Sequence, residues 1–73
     1  MIDIDDQKEL VVDLAFAIKE INKIIDVISN KASYTKYPKA LELSVFDLNI
    51  ALTQIKRKHV IAKKTLNVLE ANT

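Results

Sequence analysis

The stretch 41–55, LELSVFDLNIALTQI, carries apolar residues on two stripes of one helix. Leu41, Val45, Leu48, Leu52 and Ile55 recur at alternating steps of four and three, the spacing that keeps one helix face against a partner helix. Leu43, Phe46 and Ile50 follow the same rule on a second stripe, more than a quarter-turn away. A single partner helix covers one of these stripes. The other asks for a second copy of the chain, a different protein or a ligand.

The same period extends in both directions. Ile4, Val11, Leu14, Ile18, Ile21, Ile25 and Ile28 form a stripe that Leu10, Ala17 and Ile24 widen and only Gln7 interrupts, which predicts a helix from about residue 4 to about residue 30. Its first turn is acidic. Asp3, Asp5 and Asp6 suit the positive end of the helix dipole, and Asp6 with Glu9 has capping-box spacing.

The break is predicted at about 31–37. Asn30 stands where a left-handed cap would fall, Tyr37 is pushed toward extended geometry by Pro38, and Pro38 itself suits the first turn of a second helix. Tyr34 and Tyr37 read as rings capping the end of the core rather than as ligand contacts. The second helix is expected from 38 to about 70, on the stripe Leu41, Val45, Leu48, Leu52, Ile55, His59, Ala62, Leu66 and Leu69. So short a connection makes the helices antiparallel neighbours. Folding the chain about residue 35 then sets Ile25 by Val45, Ile18 by Leu52, Leu14 by Ile55 or Lys56 and Val11 by His59. The expected fold is all-α, a single antiparallel two-helix hairpin spanning 1–73.

Composition adds a reason for assembly. The 73 residues include no Gly, no Cys and one Pro, with 49% hydrophobic and 29% charged residues. Without Gly there is no phosphate-cradling loop, and without Cys no disulfide or thiolate metal site supports a core that is small at this length. Self-association is the common remedy, and a homodimeric four-helix bundle would cover the second stripe. Val12 and Phe16 on the first helix, with Leu43, Phe46 and Ile50 on the second, are the expected interface with another copy or with a protein partner. The start, MIDIDDQKEL, lacks the basic and apolar regions of a signal peptide, and charges interrupt every apolar run. A cytoplasmic protein without a membrane span is expected.

Charge is balanced overall, at a formal +1, but not along the chain. Residues 1–37 carry seven acids and five bases and residues 38–73 three acids and six bases, five of those bases being Lys56, Arg57, Lys58, Lys63 and Lys64. On a helix these five spread around the axis. They read as a solvated face whose charge is answered across the hairpin by the acidic first turn and by Asp13 opposite Arg57; the alternative is an anion-binding segment for RNA, DNA or a nucleotide. His59, the single histidine, falls on the core stripe with no second His, no Cys and no spaced carboxylate pair beside it. It reads as a core-edge residue, so no catalytic, cofactor or metal site is expected.

In topology such a hairpin resembles the small helical-hairpin dimers that include plasmid copy-number regulators binding RNA loops, without a shared residue motif. The stretch Leu48 to His59, LNIALTQIKRKH, is similar to hairpin proteins by which some phages sequester cyclic nucleotides, with Arg57 at a matching place. Ala51 and Leu52 stand where that pattern has a glycine and an aromatic. Neither likeness assigns a family or carries a functional residue to this chain. The expected function is a small non-enzymatic regulatory or adaptor protein that homo-oligomerises and docks on a protein through an apolar helical face.

Overall fold

The computed structural model describes residues 3–32, 36 and 38–72, and of residue 32 the backbone alone. Two helices make up the fold, α1 (Ile4–Ala32, 29 residues) and α2 (Pro38–Ala71, 34 residues), packed side by side in a rod of 56 × 15 × 15 Å. At 1.5 Å per residue each helix runs nearly the length of the rod.

Local chemistry explains both ends of α1. Asp3 is the N-cap: its side-chain Oδ1 accepts the Asp5 backbone N–H at 2.9 Å, and its carbonyl accepts the Gln7 N–H at 3.0 Å. Asp6 therefore sits inside the first turn rather than at the cap, where it still faces the positive end of the dipole. At the other end α1 continues past Asn30 to Ala32, and no described residue has a positive φ. Asn30 is an ordinary helical residue, so the left-handed cap expected there does not form. The readings of Tyr34 and Tyr37 lie outside the described residues. Pro38 opens α2, where its missing N–H has no intrahelical acceptor to lose.

One hydrogen bond marks the register. Gln7 Nε2 donates to the Ala62 backbone carbonyl at 3.0 Å, tying the start of α1 to the last third of α2 and making the pair antiparallel. Gln7 is 7% exposed, and no described buried side-chain N or O lacks a partner. The residue that interrupts the apolar stripe is thus a satisfied polar lock. Stepping along both helices from this contact brings Leu14 to Ile55, Ile18 to Leu52 and Ile25 to Val45, the layers the apolar spacing predicts.

The core they form is thin. Among the described residues only Leu52 and Ala62 are buried apolar side chains, and the other seam residues are half-buried. Accessible surface totals 5745 Å² for an 8.3 kDa chain, whereas a compact monomer of that mass exposes about 4,600 Å². The hairpin leaves about 1,100 Å² more in water than a globular fold would.

Candidate functional site

The five residues expected at an interface are all exposed, with Phe16 at 63% and Phe46 at 62%. Their placement follows from helix geometry. Ile50 lies two residues from both Leu48 and Leu52, about 200° around the axis from each, so it points away from α1. Leu43 and Phe46 share that outer edge of α2. Phe16 stands in the same relation to Leu14 and Ile18, so Phe16 and Val12 mark the outer edge of α1. The structure therefore does not bring the five together: they form two apolar edges on opposite sides of the rod, and one partner surface covers one edge.

Several polar residues of α2 turn back on their own helix. Ser44 Oγ donates to the Ala40 carbonyl at 3.1 Å, Asn49 Nδ2 to Val45 at 3.1 Å and Thr53 Oγ1 to Asn49 at 2.9 Å. Each side chain satisfies itself four residues back, which keeps polar groups from competing for the second stripe.

All five bases of the 56–64 segment are exposed, and they do not converge. Lys56 and Arg57 lay their stems along a shallow groove on α2 with Thr53, Val60 and Ile61. Lys58 emerges elsewhere, in a groove between the helices lined by Gln7, Leu10, Leu14, Ile61, Ala62 and Thr65. Among the described residues no ion pair links the acidic first turn or Asp13 to these bases; the pair formed is Lys23–Glu20, one turn apart on α1, at 3.4 Å. The register explains why. One residue beyond the Gln7–Ala62 lock, Lys8 and Lys63 emerge on the same side, so a base rather than an acid stands opposite Lys63. Arg57 lies on the outer edge of α2, out of reach of Asp13. The basic segment is thus not neutralised across the hairpin as the sequence suggests.

His59 is half-buried on the seam, at the level of Val11. Among the described residues no three His, Asp or Glu side chains cluster, and no helix is long and apolar enough to cross a membrane.

A third apolar surface was less visible in the sequence. Leu10, Ala17 and Ile24 recur every seven residues beside the α1 seam, and Ala51 with Thr65 occupies the matching flank of α2. Ala17, Ala51 and Thr65 are half-buried, whereas Lys8, Ala15, Asn22, Asn49, Lys56 and Lys63 on the opposite flanks are exposed. The two broad sides of the rod therefore differ. One is polar. The other carries Leu10, Ile24 and Val27 from α1 and Ile61 and Val68 from α2, all exposed large apolar residues, with Ile61 at 63%. The seven-residue recurrence of Leu10, Ala17 and Ile24 was the available signal, and it reads equally well as a widened core.

No protein family, curated protein or solved structure matches this chain.

Proposed function

We propose that the chain is a non-enzymatic interaction module: two hairpins assemble as a four-helix bundle, and the bundle docks on a protein partner through the apolar outer edge Leu43, Phe46 and Ile50. The observation that carries this reading is the surplus of about 1,100 Å² of surface over a compact monomer, with apolar side chains exposed along the full length of both helices. A standard interface hides about 800 Å² per partner, so one further contact of ordinary size accounts for most of the surplus. The outer edges of both helices then remain uncovered, and that of α2, with Leu43, Phe46 and Ile50 against Val12 and Phe16 on α1, offers the larger apolar surface to a different protein.

The test is paired. Sedimentation of the parent gives the assembly, with two chains per particle expected. Binding of an environment-sensitive dye gives the docking edge: the triple variant Leu43→Ser, Phe46→Ser, Ile50→Ser keeps the parent's mass and loses most dye binding. A monomeric parent overturns the assembly. Dye binding unchanged in the triple variant overturns the docking edge.

The lack of ion pairs at Lys56, Arg57, Lys58, Lys63 and Lys64 among the described residues favours a second reading, an anion-binding segment. Binding to a phosphate backbone weakens steeply as salt rises, whereas docking on an apolar edge does not, so a salt titration separates the two.

A further inference from the structure

The two broad sides of the rod are chemically unlike, and the difference says which of them a second copy covers. Across the groove on one side, the register pairs Lys8 with Lys63, Ala15 with Lys56, Asn22 with Asn49 and Ser29 with Glu42. Stacking two such surfaces would bury a charged or amide side chain in three of these four layers and a lysine beside Ala15 in the other, a desolvation cost with little apolar contact to offset it. Across the other side, the register pairs Ala17 with Ala51, Ile24 with Ser44 and Leu10 with Lys58. Small residues make that side flat at mid-length, and Leu10, Ile24 and Ile61 stand around the flat centre about half exposed or more.

We infer that this side, the face carrying Leu10, Ala17, Ile24, Ala51 and Ile61, is where a second copy of the chain docks, face to face about a two-fold axis. The inference rests on the self-association proposed above and names its surface. Three observations select a copy of the same chain as the occupant. The surface in excess of a compact monomer, about 1,100 Å², is of the size that one side of a stable dimer hides. The face is continuous with the thin core, since half-buried Leu14, Ala17 and Ala51 belong to both, so covering it completes a four-helix bundle instead of adding a separate patch. Its charge is of both signs: Lys58 lines the groove with Leu10 and Ile61, Lys31 continues the seven-residue series of Leu10, Ala17 and Ile24, and Asp13, Glu20 and Asp47 follow on the outer flanks of the same side. Two-fold pairing sets the Lys58 of each chain against an acidic flank of the other.

The outer edges that the apolar spacing offers as an interface are then not the self-interface. Phe46 and Ile50, or Phe16 and Val12, remain on the outside of the bundle.

The experiment compares solution mass of the parent with Ile24→Glu and Phe46→Glu, and captures contacts with single cysteines, which the cysteine-free chain permits. The expected result is a two-chain parent, loss of the dimer in Ile24→Glu over at least a hundredfold range of concentration, and a two-chain Phe46→Glu. An equimolar mixture of Ala17→Cys and Ala51→Cys chains, oxidised by copper phenanthroline in air, forms an interchain disulfide at least tenfold faster than Ile50→Cys chains. Alanine and cysteine are close in size, so this measurement stands even where Ile24→Glu fails to fold. A two-chain parent in which Ile50→Cys cross-links faster than the mixture overturns the inference while leaving self-association intact. A single-chain parent overturns both.

Discussion

At the scale of single residues, Gln7 has the most specific role. A glutamine on an apolar stripe reads from sequence as an interruption, because residue type alone does not say whether a partner waits across the groove. The partner is a backbone carbonyl, Ala62, 55 residues away, and every residue has one. No composition or spacing rule marks it. The Ala62 carbonyl also belongs to the α2 ladder, so Gln7 uses its second lone pair and contributes register more than energy. Gln7→Leu is accordingly expected to unfold in urea within about 1 kcal/mol of the parent, since an apolar side chain of similar size replaces a satisfied polar one. The same variant is expected to show extra amide resonances in a proton–nitrogen correlation spectrum, as slipped registers become populated. A single clean set of resonances would show that the apolar layers alone fix the register.

At the scale of the element, both helices were legible and the choice of capping residue was not. The four-three spacing of Val11, Leu14, Ile18, Ile21 and Ile25 specifies a helix because no other regular structure repeats it. The ends depend on which of several competent residues takes the cap. Asp3, Asp5 and Asp6 all suit an N-terminus, and Asp3 wins because only from that position can the side chain reach the Asp5 amide while the carbonyl receives Gln7. Asp3→Ala should therefore cost about 1 kcal/mol of stability in chemical denaturation. Asp6→Ala should cost less, since that residue loses only a favourable place in the dipole, and an equal cost for both would remove Asp3 from the cap. Asn30 misled for the opposite reason. A residue able to adopt the left-handed cap need not, and here α1 gains two more residues before ending.

The candidate surfaces were half legible at this scale. Phe16, Phe46 and Ile50 are identifiable as exposed from their angular distance to the seam. That they lie on opposite edges of the rod follows only once two helices are set antiparallel and both edges are found to face outward. The broad face with Leu10 and Ile24 was hidden because its residues adjoin the seam, where an apolar side chain reads as core. Their exposure distinguishes them from the half-buried seam, and it is a property of the pair rather than of either helix.

At the scale of the whole molecule, the hairpin is long, thin and under-covered. Two buried apolar side chains among the described residues and one buried glutamine are little to hold 63 helical residues together. Conformational entropy opposes folding by about 1–2 kcal/mol per residue, and helices gain most of their stability from packing rather than propensity. In the assembly proposed above, a second apolar surface closes over the first and makes good the shortfall. Stability of this chain is then inseparable from its concentration.

The thermal midpoint across a hundredfold range of protein concentration tests that claim most directly. Two chains of 73 residues unfold with an enthalpy of about 100 kcal/mol, so coupled folding and dimerisation predict a midpoint that rises by about 5 °C for each tenfold increase in concentration. A cooperative transition whose midpoint stays constant over that range would contradict the account, because a hairpin that melts independently of concentration is stable without a second copy.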